Sequence, residues 1–130
     1  MVGLVIVSHS WKIAEGLKDL TTEIAPTHNG IIAAGGLEDK SIGTDAIRIS
    51  EAIKQANDGD GVVVLADLGS GVMSSETAIE LLEDEGIRVQ LADAPFVEGT
   101  IAAAVTAMVG SDFDAVLKAA EDTRGVNKIN

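Results

Sequence analysis

The chain has 130 residues, a net charge of −12 and no cysteine. That length allows one domain with a real core. The missing Cys excludes disulfides, thiolate metal centres and a Cys nucleophile, and the acidic balance opposes nucleic-acid backbones and anionic lipid, so neither is an expected partner. Apolar residues make up 46% of the chain and are mostly small aliphatics, with one Trp, two Phe and no Tyr, a composition suited to close packing of helices on a sheet. The apolar runs are too short to cross a membrane, and the N-terminus lacks a signal-peptide pattern. The expectation is a cytoplasmic protein.

In chain order, residues 4–7 form an apolar run that reads as a buried strand and ends at Ser8-His9-Ser10. Ile13, Leu17, Leu20 and Ile24 follow at helical spacing, stopped by Pro26 and Asn29-Gly30. Residues 31–34 predict a second strand, closed by Gly35-Gly36, and Ile42, Ala46, Ile49, Ile53 and Ala56 a second helical stripe, ended by NDGDG at 57–61. Residues 62–65 are the clearest buried strand. Ser74 or Ser75 is expected to open a helix through Ile79 and Leu82, with Gly86 as its stop. Residues 89–91 predict a fourth strand. A helix from Gly99 through Ile101, Val105 and Met108 comes next, and then one carrying Phe113, Val116, Leu117 and Ala120, capped by Ser111 or Asp112. Residues 125–130 have no clear period and read as a loose tail or a short extra strand.

Alternating strands and helices predict an α/β fold, an open, mostly parallel sheet with helices on both faces. In such sheets ligands gather outside the carboxyl ends of the strands. Here those ends supply Ser8-His9-Ser10, Gly35-Gly36, Asp67-Leu68-Gly69-Ser70-Gly71 and Asp93-Ala94-Pro95. His9 is a nucleophile candidate. A carboxylate that holds one ring nitrogen's proton leaves the other nitrogen free to attack, and Asp67 is placed for that task. The glycines of DLGSG allow close approach of backbone N–H groups to an anion, with a helix N-terminus behind them. Taken singly, His9 could cap the next helix and Asp67 could serve a turn. Together they suggest phosphoryl transfer through histidine, without separating a carrier from a small-anion binder. His28, in APTHNG at the other end of the sheet, reads as a solvated turn residue, Trp11 as packing or a docking anchor, and Met73 as core or rim. No metal-ligand spacing, Walker sequence, dinucleotide fingerprint or Gly-x-Ser-x-Gly elbow is present.

The blocks GLVIVSHS, AAGG, IGTDAI, VVVLADLGSGVMSSETAIELL and ADAPFVEGTIAAAV, in this order, resemble the phosphotransfer subunits of phosphoenolpyruvate-dependent dihydroxyacetone kinases, the DhaM family. Their fold is similar to the enzyme IIA domain of mannose-type sugar phosphotransferase systems. The resemblance spans residues 1–123 as a single domain, with 124–130 as a tail. It implies a four-stranded sheet of order 2-1-3-4 and a homodimer. His9 would take a phosphoryl group on Nε2 from the small carrier protein HPr, oriented by Asp67, with Ser10, Gly35, Gly36, Gly69, Ser70 and Gly71 around the phosphate. The group would pass to ADP, with its Mg, on the nucleotide-binding kinase subunit, which serves a dihydroxyacetone-binding subunit; this chain itself would need no cofactor or metal. Mannose-type transport domains usually carry GGSP where this chain has GSGVMS, which ranks the dihydroxyacetone branch above a sugar-transport component. The reading from another class is a non-catalytic regulatory module that binds a small anion.

Overall fold

A computed structural model describes residues 1–130. The elements are β1 (Gly3–Ser8), α1 (Trp11–Ile24), β2 (Ile31–Gly35), α2 (Ala46–Ala56), β3 (Val62–Ala66), α3 (Gly69–Leu81), β4 (Val89–Leu91), α4 (Phe96–Met108) and α5 (Phe113–Asp122). The four strands are parallel, in the order β2-β1-β3-β4.

Strand alternation sorts the core into two layers. Leu4 and Ile6 of β1 and Val63 and Leu65 of β3 face one side, where they meet Ala14, Leu17, Ala103, Ala107 and Val116. Val5 and Val7, with Val62 and Val64, face the other and meet Ile49, Ile53, Ala78 and Leu82. Topology dictates which helix goes where. The chain steps from β1 outward to β2 through α1, then crosses back over β1 to β3 through α2. Right-handed crossovers in opposite directions place α1 and α2 on opposite faces. The step from β3 to β4 continues in the second direction, so α3 joins α2. The direction reverses at β1 and β3, whose carboxyl ends are therefore the switch point where such sheets build their sites.

The structure changes several expectations. The buried face of α1 is Ala14, Leu17 and Thr21, whereas Ile13, Leu20 and Ile24 of the anticipated stripe are exposed. Small residues win because α1 lies very close to β2: a Cβ on Gly35 would stand 2.5 Å from the Ala14 Cβ and 2.7 Å from the Ser10 carbonyl oxygen. Ile42 lies outside α2 and is exposed. α3 starts at Gly69 rather than at Ser74 or Ser75, and α4 at Phe96 rather than Gly99. Asp112 is the cap of α5, its carboxylate accepting from the Ala115 N–H at 2.9 Å. After α5 comes a short 3₁₀ turn (Thr123–Gly125), and residues 126–130 form no strand.

His28 is a clear correction. It is buried, with Nε2–H donating to the Val2 carbonyl at 2.9 Å and Nδ1 accepting from the Gly30 N–H at 3.0 Å. A ring that accepts at Nδ1 is neutral. Burial pushes its pKa down, which outweighs the upward pull of the Val2 carbonyl; the N-terminal ammonium lowers it further and Asp58 raises it. The residue ties the turn before β2 to the start of β1.

Candidate functional site

β1 and β3 pair with Val7 opposite Ala66, so the residues that follow them leave the sheet side by side. The Asp67 N–H donates to the Val7 carbonyl at 3.1 Å. Its carboxylate then gathers donors. Oδ2 accepts from the Ser8 hydroxyl at 2.9 Å and the His9 N–H at 3.0 Å. Oδ1 accepts from the Leu68 N–H at 2.7 Å and lies 2.9 Å from His9 Nδ1. Burial pushes the Asp67 carboxyl up, but the hydrogen bonds from the His9 N–H, Ser8, the Leu68 N–H and the His9 ring outweigh it and hold the group below the ordinary carboxylate value. Asp67 is therefore ionised at neutral pH.

This carboxylate sets the tautomer of His9. An ionised carboxylate only accepts, so Nδ1 carries a proton, and in the neutral ring Nε2 then keeps a bare lone pair. The ring is 23% exposed against 12% for the Asp67 side chain, so the carboxylate is the more shielded of the two. The Ser70 hydroxyl meets Nε2 and, with the nitrogen bare, is the donor.

Ser70 reaches the ring because α3 begins at Gly69, directly after the Leu68 N-cap. No side chain caps this helix and no acidic residue stands in its first turn. The N–H groups of Gly69, Ser70 and Gly71 precede the first intrahelical donor, Val72, whose N–H bonds the Leu68 carbonyl at 3.1 Å. An unpartnered set of N–H groups at a helix start is an arrangement that can bind an anion. Gly71 lets the turn close in: a Cβ there would lie 2.9 Å from Asp67 Oδ1 and 3.6 Å from His9 Cε1.

Other residues singled out in the sequence have different surroundings. Ser10 is the N-cap of α1, its hydroxyl accepting from the Ile13 N–H at 3.3 Å. Gly35 admits α1, as described above. The Gly36 N–H donates to the Ser8 carbonyl at 3.0 Å, and the Gly36 carbonyl accepts from Arg48 Nη1 at 3.0 Å. Both glycines thus shape the corner beside His9 with their polar groups engaged. Asp93, after β4, pairs with Arg124 at 2.7 Å and accepts no bond from His9, so that strand end turns toward the C-terminal segment. Met73 is exposed, and Trp11 is half-buried beneath the Lys40 ammonium, 4.1 Å from the ring centroid.

Sequence reading underrated Ser8. Besides donating to Asp67, it accepts from the Ser10 N–H at 3.1 Å, bracing the turn that presents His9. A hydroxyl closing an otherwise apolar strand was the available signal. Around the site, Ile13, Ile42, Leu68 and Met73 are exposed. Each is tied to it: Ile13 bonds Ser10, Ile42 precedes the Gly43 N–H that donates to the His9 carbonyl, Leu68 bonds Asp67, and Met73 lies one turn past Ser70.

Comparison with known proteins adds to this geometry. The family model EIIA-man, described as PTS system fructose IIA component, matches residues 3–117. The phosphoryl donor subunit DhaM of the PEP-dependent dihydroxyacetone kinase of Escherichia coli (strain K12) is 46% identical over 121 residues, covering 90% of this chain and 26% of that protein. The DhaM subunit of PEP-dependent dihydroxyacetone kinase 2 of Listeria innocua is 38% identical over 119 residues, covering 91% of this chain and 95% of that one. The chain thus spans about a quarter of the first relative (26%) and nearly all of the second (95%). A crystal structure of a protein of unknown function superposes with a TM-score of 0.84 at 34% identity, covering 100% of both chains. The phosphotransferase system component EIIA of Streptococcus agalactiae shares the fold, with a TM-score of 0.72 at 15% identity over 98% of this chain and 97% of that one.

Proposed function

Because the chain belongs to the EIIA-man family and, within it, to the DhaM phosphoryl donor subunits of PEP-dependent dihydroxyacetone kinases, we propose that it carries a phosphoryl group on His9 from HPr to the kinase subunits. The observation that carries this reading is the Nδ1–Asp67 contact, which reserves the other ring nitrogen, Nε2, beside a helix N-terminus that no side chain caps.

Nε2 attacks the phosphorus of the donor's phosphohistidine in line. The new N–P bond forms as the donor's N–P bond breaks, and the donor imidazole keeps its electron pair. His9 becomes cationic as it is phosphorylated, and Asp67 balances that charge through the Nδ1 proton. The phosphoryl oxygens take the place now facing the Gly69, Ser70 and Gly71 N–H groups, and the Ser70 hydroxyl turns from Nε2 to one of them. The reverse attack, by an oxygen of ADP held with Mg on the nucleotide-binding subunit, releases His9. ATP formed there phosphorylates dihydroxyacetone on the third subunit. The carrier acts in the cytoplasm as a homodimer. Exposed Leu20 and Ile24 on α1 and Val105 and Val109 at the end of α4 offer apolar surface for the second copy, and no helix is long and apolar enough to cross a membrane.

The test is incubation with phosphoenolpyruvate, enzyme I and HPr, with and without the kinase subunits, following intact mass and dihydroxyacetone phosphate. The expected result is a gain of one phosphate that is acid-labile and alkali-stable, absent in His9→Ala, and discharged into product. A gain without product favours a sugar-transport component. No gain favours an anion-binding module, and an acid-stable label moves the chemistry to a hydroxyl.

A further inference from the structure

The loop between β2 and α2, residues 36–45, runs along the reactive edge and is fastened on two sides. The Gly43 N–H donates to the His9 carbonyl at 2.9 Å. One residue on, Thr44 Oγ1 lies 2.6 Å from Ser74 Oγ. This hydroxyl pair is partly buried, it is the only hydrogen bond between the loop and α3, and neither hydroxyl has another partner. Ser74 sits one helical turn beyond Ser70, whose hydroxyl meets His9 Nε2. A closed circuit results. It runs from the His9 carbonyl to Gly43, along one peptide to Thr44, across to Ser74, back one turn to Ser70, and onto the same imidazole.

The circuit has a physical task. α3 has no side-chain cap to fix its first turn, and Gly69 and Gly71 weaken its hold on a helical backbone. That turn must nevertheless stand at one distance from Nε2, because its N–H groups act on the transferring phosphoryl. From this arrangement we propose that the Thr44–Ser74 hydroxyl pair is a positioning clasp that sets the spacing between the start of α3 and His9, and through it the rate of phosphoryl transfer. The proposal rests on the carrier reading above. Neither hydroxyl touches the reacting atoms; both act through Gly43 and Ser70. Lys40, whose backbone is left-handed (φ 69°) and whose ammonium covers Trp11, holds the far side of the same loop, so a released Thr44 does not free the loop altogether.

Thr44→Val removes the hydroxyl and keeps the volume. With phospho-HPr as donor, it is expected to lower the first-order transfer rate about tenfold while KM stays within about twofold. Ser74→Ala should do the same, the double variant should lose no more than either single one, and Thr44→Ser should recover the wild-type rate. Alongside, the ¹⁵N shifts of the His9 ring should move in Thr44→Val and return in Thr44→Ser. Unchanged rates and unchanged ring shifts in folded Thr44→Val and Ser74→Ala proteins would overturn the clasp, even with a lowered melting temperature, because they would leave the pair a purely structural role. A wild-type chain that takes no label would instead overturn the carrier reading, and the ring shifts alone would then decide for or against the clasp.

Discussion

Asp67 accepts four donors on two oxygens, which an amide cannot do. Asp67→Asn keeps the shape, but its NH₂ must face donors already present. The expected cost is about 1–3 kcal/mol of stability and a 10–10³-fold slower transfer from HPr, on the order seen for general acid–base partners, measured by calorimetry and rapid-quench kinetics on the same samples. Wild-type rates in a folded variant would reduce the residue to a turn pin. The sign of the pH effect follows from the lowered carboxyl. Its contribution is complete above the unfolded value of 3.8 and is lost as pH falls through the lower folded value, so wild type and Asp67→Asn should converge in stability in strong acid. His28 behaves in the other charge sense. Its folded pKa is depressed below 6.5, so the unfolded chain binds the proton more readily and stability falls as pH drops through and below that value. His28→Ala leaves the Val2 carbonyl and the Gly30 N–H unpaired, with an expected loss of about 2 kcal/mol at pH 8 that narrows toward pH 5, and with transfer activity intact because the residue is at the opposite end of the sheet. A variant as stable as wild type at pH 8 would refute that role. The polar neighbours Thr27 and Asn29 hid it, since local composition carries no trace of a partner 26 residues away.

At the scale of elements, α3 shows both what the sequence reveals and what it conceals. Gly69-Ser70-Gly71 looks like a turn, because glycine is a poor helix former and no Ser or Asp caps the start. The helix starts there nonetheless, since only a glycine at position 71 lets its first turn lie against Asp67 and His9. Gly71→Ala should therefore slow transfer and shift the His9 ring resonances, although alanine favours helix. An unchanged rate would mean the first turn gives way at no expense to the site. α1 teaches a related lesson: two stripes share the helical period, and the bulky one is the more apolar. Packing against β2 selects the small one because Ala14 and Gly35 stand nearly in contact. The strands were legible to within about a residue, and β1 and β3 most plainly, because runs of Val, Ile and Leu buried on both faces leave little ambiguity. Asp67 was legible as the first polar residue after β3, and His9 as the imidazole directly after the Ser8 that closes β1. Ser8 left a faint signal as the hydroxyl that closes an apolar strand, and Thr44 and Ser74 left none, because their meaning lies in contacts between distant segments.

Across the whole molecule, a net charge of −12 surrounds an edge where Ile13, Ile42, Leu68 and Met73 are exposed. Charge of this kind hastens encounter with a basic donor, and apolar contacts decide how long it stays. Ile42→Ser combined with Met73→Ser should raise KM for phospho-HPr roughly tenfold or more and leave the melting temperature unchanged, since both side chains are in solvent; added salt should raise KM further. A KM that ignores both changes would place docking elsewhere. The pairing of His9 with Asp67 across 58 residues also has a consequence in time. While the chain is being made, His9 emerges long before its partner and is an ordinary imidazole with either nitrogen protonated. Only when β3 has been synthesised and has docked beside β1 does one tautomer prevail, and α3, whose Ser70 meets the same ring, is then the next element to form. On the carrier reading proposed above, competence and the central strand pair would arrive together: a nascent or misfolded chain would draw no phosphate from the donor pool, and the phosphorylated fraction would count the molecules whose sheet has closed.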